Sequence, residues 1–235
     1  MSQDQRAHII KTAGEMFFRL GIRSVSIDDI CRELGMSKKT FYVYFESKDE
    51  LVEQLLRANV EHMEQKMRTT MEASDFGAIV RKFTQWISTE KEDVRKVPQL
   101  VYDLKKYYPR QYNEFQRQSF ETLQQYIEQF IERGMKAGLV RANINKEYTS
   151  HLFAKIYTDA LRDFETIESK GHNLPQFSRV ASDILMRGIL SEEGLNYINN
   201  NEKNYFIYRR TARDEYNGNG GRSCDGSDAR VEEIG

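Results

Sequence analysis

Two adjacent lysines, Lys38 and Lys39, precede Thr40 and then four aromatics in five residues, Phe41, Tyr42, Tyr44 and Phe45. An ammonium group can meet a phosphate oxygen or the acceptor edge of guanine. Thr40 and Val43 can touch a thymine methyl, and tyrosine hydroxyls can donate to phosphates. This is the chemistry of binding rather than of bond making. The chain has no glycine-rich nucleotide fingerprint, no phosphate-binding loop, no paired-histidine zinc motif and no serine elbow. His8, His62, His151 and His172 share no ligand spacing, and Cys31 falls on an apolar stripe where a thiol is inert. No catalytic residue, metal or cofactor is therefore expected, and the chain is not expected to be an enzyme.

The elements that must position these residues are short and well marked. Ser37 can cap a helix running to about Phe45. On it Phe41 and Phe45 stand four apart, on one side, free to pack inward. Lys38, Lys39, Thr40, Tyr42, Val43 and Tyr44 take the other face, which a major groove about 12 Å wide could receive. Upstream, Ile27, Ile30, Cys31 and Leu34 form the apolar stripe of a helix opened by Ser26 with Asp29 and stopped by Gly35. Before that, Ile10, Ala13, Phe17 and Leu20 mark a first helix ending at Gly21. Ser47 to Glu50 reads as a capping box that opens a fourth, longer helix. Only a turn fits between Leu34 and Ser37, so residues of about 26–45 form a helix-turn-helix. Ser26 and Lys48, at the starts of the second and fourth helices, can supply further phosphate donors.

The segment SIDDICRELGMSKKTFYVYFESKDEL resembles the DNA-binding segment of the TetR/AcrR family of bacterial transcriptional repressors. The resemblance rests on Ile30-Cys31, Gly35-Met36-Ser37, Thr40-Phe41-Tyr42, Tyr44-Phe45, Ser47-Lys48 and Leu51, after a first helix IIKTAGEMFFRLG, and covers roughly residues 5–60. Cys31 stands where alanine is usual, and Lys39 where glycine is common. The resemblance implies phosphate contacts from Ser26, Tyr42, Tyr44 and Lys48, and groove contacts from Lys38, Lys39, Thr40 and Val43. It also implies an all-helical C-terminal domain with a ligand cavity, and dimerisation through the last two helices.

The rest of the chain fits an all-α protein: an N-terminal three-helix helix-turn-helix domain joined by a long helix to an all-helical ligand-binding and dimerisation domain. The expected divisions are 1–50, 51–191 and a polar tail over 192–235, expected to be disordered. Helices are expected over 76–90, 93–107, 110–137, 146–169 and 175–191. A single reading helix covers few base pairs, so double-stranded operator DNA implies a homodimer. Phe153, Ile156, Tyr157, Ala160, Leu161 and Phe164 on one helix, with Val180, Ile184, Leu185 and Gly188 on the next, form stripes wide enough for that interface. Aromatics from Phe83 and Trp86 to Tyr126 could line a cavity for a small apolar or aromatic effector. The net charge of -1 places any basic surface in a local patch. Cys31 and Cys224 show no pairing pattern, which fits a reducing cytoplasm. No uncharged run approaches the roughly 18 residues of a membrane span, so no membrane partner is expected. The resemblance thus implies a ligand-responsive DNA-binding transcriptional regulator, a repressor released from palindromic operator DNA by a small-molecule effector. A helical DNA-binding or interaction protein without an effector is the alternative.

Overall fold

The computed structural model describes residues 3–73, 75–80, 82, 97–163 and 174–200. The helices among them are α1 (Gln3–Leu20), α2 (Ile27–Glu33), α3 (Lys38–Tyr44), α4 (Lys48–Met71), α5 (Val97–Tyr107), α6 (Pro109–Lys136), α7 (Lys146–Arg162), α8 (Leu174–Ile189) and α9 (Glu192–Asn200). Residues 76–80 are helical as well. Apart from one isolated bridge between Val140 and Leu190 there is no β structure among the described residues, so the fold is all-α. No helix among them is long and apolar enough to cross a membrane.

The short helices form where their caps satisfy the exposed backbone groups. Ser26 Oγ accepts from the Asp29 amide, and the Asp29 carboxylate accepts from the Ser26 amide, a reciprocal capping box. At the far end of α2, Gly35 turns left-handed (φ +62), its amide reaches the Arg32 carbonyl, and the Met36 amide reaches the Cys31 carbonyl. This double closure is a Schellman stop, and it folds Met36 back toward the core. Ser37 caps α3 through the Thr40 amide, and Ser47 caps α4 through the Glu50 amide. Glu50 differs from the expected box. Its carboxylate reaches past Ser47 to the Glu46 amide at 2.7 Å, while its other oxygen pairs with Arg6 of α1 at 3.1 Å.

Two buried clusters organise the chain. In the first, Ile9, Ala13 and Phe17 of α1 meet Ile30 and Cys31 of α2, Phe41 and Phe45 around α3, and Leu51, Val52 and Leu56 of α4. Leu104 of α5, Tyr108 and Tyr112 join them, so this core is not confined to residues 1–50. The second core holds Met67 of α4, Phe76, Ile79 and Val80, Leu123 to Ile131 of α6, Phe153 and Ala154 of α7, and Met186 and Ile189 of α8. The 24 residues of α4 run from one core to the other, about 36 Å at the helical rise.

The polar tail does not begin at 192: α9 forms there, capped by Ser191 Oγ on the Gly194 amide, with Ile198 buried and Leu195 packed against the second core. Apolar residues three apart outweigh the polar composition around them. Residues 201–235 lie outside the described residues.

Candidate nucleic-acid interface

The faces of α3 separate as its sequence requires. Phe41 and Phe45 are 0% and 1% exposed, while Tyr42 and Val43 are 51% and 50% exposed. The two phenyl rings lie 5.6 Å apart, and the Arg6 guanidinium sits 4.9 Å over Phe45. A seven-residue helix is unstable alone, so these inward contacts fix the outward face. Lys38, Lys39 and Thr40 are all exposed on the first turn. A bulky apolar pair such as Tyr42 and Val43 left in water at a helix surface suits a contact surface better than a solvated one.

The polar groups of this face are held but not locked. Lys38 Nζ pairs with Asp28 of α2 at 2.7 Å, and both side chains are more than half exposed. Such a pair is worth at most about 1 kcal/mol, so a phosphate can displace Asp28 readily. Thr40 Oγ1 lies 2.9 Å from Ser37 Oγ. The Lys39 side chain is exposed and has no ion pair or hydrogen bond among the described residues, so it is available to a ligand. Ser26 Oγ donates to Asp29 at 2.5 Å, which holds that carboxyl below its ordinary pKa together with the Ser26 amide bond. Tyr44 is half-buried and packs on the first core.

Lys48, expected as a phosphate donor, is engaged within the chain. Its Nζ turns inward and donates to the carbonyls of Ile22, at 2.6 Å, and Val25, at 2.5 Å, in the turn between α1 and α2. It also lies 5.6 Å from the Phe17 ring. Burial pushes its pKa down, against the pull of Asp103, Asp49 and Asp29. Two of its three protons are committed to the backbone, so Lys48 first of all joins α4 to that turn. Lys48→Met should therefore lower stability by about 2 kcal/mol, the worth of charged hydrogen bonds to carbonyls left unpaired. Urea unfolding of parent and variant measures it. An unchanged midpoint, with a shallower salt dependence of DNA binding, would restore the phosphate role.

The proposed dimer residues divide as well. Val180 and Ile184 are 54% and 64% exposed, and Gly188 is exposed. Ile156, Tyr157 and Leu185 are half-buried, and the Tyr157 hydroxyl bonds to Ser182 between α7 and α8. Phe153 and Ala160 face inward, Phe153 within the second core. The side chain of Leu161, and all of Phe164, lie outside the described residues. The exposed stripe on α7 is instead Tyr148 and Leu152, one turn apart, joined by Phe177 on α8. The i, i+4 spacing of Tyr148, Leu152 and Ile156 was the signal. The stripe expected on α7 mixed this face with the one buried on α6.

The aromatics expected around a cavity are likewise split. Tyr108, Tyr112 and Phe115 belong to the first core and Phe120 and Tyr126 to the second, while Tyr102 is exposed. Phe83 and Trp86 lie outside the described residues. A cleft of about 520 Å³ between α4 and α6 is lined mainly by polar side chains, among them Glu53, Arg57, Arg110 and Glu114, over Leu56 and Phe115.

A buried aromatic pair under an exposed basic face, behind a Schellman turn, defines a helix-turn-helix protein on an all-helical body. Residues 9–55 match the family model described as bacterial regulatory proteins, tetR family. The chain is 23% identical over 166 residues to the uncharacterized HTH-type transcriptional regulator YhgD of Bacillus subtilis, covering 70% of this chain and 86% of that protein. Its fold is similar to a putative transcriptional regulator of Saccharomonospora viridis solved with choline (TM-score 0.63, 20% identity, 81% of this chain and 100% of that one). It is also similar to SmeT, the repressor of the Stenotrophomonas maltophilia multidrug efflux pump SmeDEF (TM-score 0.62, 16% identity, 80% and 91%). Residues 9–55 thus carry the DNA-binding segment described for the tetR family of bacterial regulatory proteins, and over most of its length the chain is similar to an HTH-type transcriptional regulator.

Proposed function

We propose that this regulator is a homodimeric repressor that reads a palindromic operator through α3 and is released by a small molecule held in its C-terminal domain. The observation that carries the DNA half is the division of α3, with Phe41 and Phe45 sealed in the core and Lys39, Thr40, Tyr42 and Val43 turned to solvent. Dimerisation draws on the exposed apolar stripes of α7 and α8. Two such helices from each protomer would make a four-helix contact about a two-fold axis. That axis sets the two copies of α3 for half-sites about 34–36 Å apart. An effector acts only by favouring one spacing of the two helices over the other. The relative solved with choline and the efflux-pump repressor support a ligand-released reading by likeness of fold. A cytoplasmic location goes with this function.

The test is Lys39→Gln, in gel shifts against the DNA flanking the protein's own gene. The exposed site predicts stability within about 0.5 kcal/mol of the parent. Loss of a base-edge or phosphate contact predicts a loss of about 1–3 kcal/mol in binding, with an altered ranking of operator variants if Lys39 reads a base. A variant that binds every duplex as the parent does removes Lys39 from the interface. The second reading, a DNA-binding protein without an effector, draws on the split aromatics and the polar cleft. A thermal-shift panel of apolar, aromatic and cationic compounds separates the two, since only a ligand of the native state raises the midpoint.

A further inference from the structure

The turn between α1 and α2, residues 21–25, is held from two sides. From α4 comes Lys48, on the Ile22 and Val25 carbonyls. From α5 comes Asp103, which is 3% exposed. Its Oδ2 accepts the backbone amide of Arg23 at 3.1 Å, and its Oδ1 accepts from Gln99 Nε2 at 3.1 Å. Arg23 then folds over α5, donating to the Tyr107 hydroxyl and lying 4.9 Å above its ring. Gly21 makes the approach possible. Its φ is +83, and a methyl group there would stand 3.1 Å from Asp103 Oδ2. Leu104, one residue on, shares the first core with Ile22 and Val25.

A buried carboxylate is stable only while its oxygens keep their donors. Arg23 is the donor contributed by the N-terminal domain, and it lies three residues before Ser26, the cap of α2. That bond therefore ties the place of α5 to the place of the α2 N-terminus. We infer that Asp103 is a positioning residue that couples α5 directly to the helix-turn-helix through the α1–α2 turn, by a route separate from the continuous helix α4. A shift of α5 by about an ångström stretches this bond beyond hydrogen-bonding range and loosens the α5 side of the turn that precedes Ser26, leaving the Lys48 side in place. The inference rests on the DNA-binding reading for its consequence, and on the free protein for its geometry.

Hydrogen exchange on the full chain tests the geometry, with Asp103→Ala and Asp103→Asn. Asparagine keeps a carbonyl oxygen for the Arg23 amide, whereas alanine removes it. Peptides spanning 21–26 should exchange about tenfold faster in D103A, as for loss of one protecting bond, and close to the parent in D103N. Equal exchange in D103A and parent overturns the latch. Binding to the DNA flanking its own gene tests the consequence. D103A should bind about tenfold more weakly with an unchanged salt slope, because no phosphate contact is lost. Affinity equal to the parent's overturns the coupling. A parent that binds no such DNA contradicts the DNA reading alone, since the exchange contrast is read without DNA.

Discussion

Ile184→Asp is expected to give a folded monomer that binds operator DNA at least about 100-fold more weakly than the parent. Ile184 is 64% exposed and stands one turn from Val180 on α8, so the aspartate meets water in the monomer and the second core is untouched. Symmetry makes the substitution act twice. A two-fold interface brings the same patch of both protomers together, so two carboxylates would be buried near each other without partners. With the link broken, the second half-site is no longer bound intramolecularly, and the advantage of linkage, about 10² to 10⁴, disappears. Light scattering coupled to size exclusion reads the mass, and a fluorescence-anisotropy titration reads the affinity. A variant that remains dimeric would place the interface elsewhere.

Phe41→Ala should abolish DNA binding without altering any residue that faces the DNA. Phe41 is fully buried, its ring 5.6 Å from that of Phe45 and edge-on to Tyr42. Truncating such a ring costs about 3–5 kcal/mol, a large part of what a domain of this kind has to spare. α3 has seven residues and one side-chain cap, so nothing local replaces the lost packing. Exchange protection over residues 38–44 should collapse, while α6 and α7 keep theirs on the second core. Tyr42→Ala is the matching control, because its exposed ring leaves stability within about 0.5 kcal/mol. If F41A binds DNA as the parent does, the inward face of α3 is not what holds the reading face in place.

The helix-turn-helix was legible in the sequence because its signals are local. Ser26 with Asp29, Gly35, Ser37 and Ser47 each act within four residues, and each forms the cap or stop that its type and position imply. Phe41 and Phe45 could be sorted from Tyr42 because one helical turn decides the face. Lys48 could not be read this way. Its partners are the Ile22 and Val25 carbonyls, more than twenty residues away, and a lysine beside a cap looks the same whether it faces phosphate or backbone. Asp103 was missed for the same reason, since its value lies in an amide eighty positions upstream. On α7 the sequence shows an apolar helix with two faces. Only its packing on α6 reveals that Phe153 and Ala154 turn inward while Tyr148 and Leu152 turn out. The aromatics of α5 and α6 are close in sequence and look like one set, yet the long α6 carries them past two separate cores.

The most direct measurement is an anisotropy titration of the full chain with the DNA flanking its own gene, against a scrambled duplex of equal length, at physiological salt. Two protomers are expected on the flanking duplex, with binding at least about 10³-fold tighter than to the scrambled one. Equal affinity for both duplexes, or one protomer bound to the flanking duplex, would contradict dimeric operator binding.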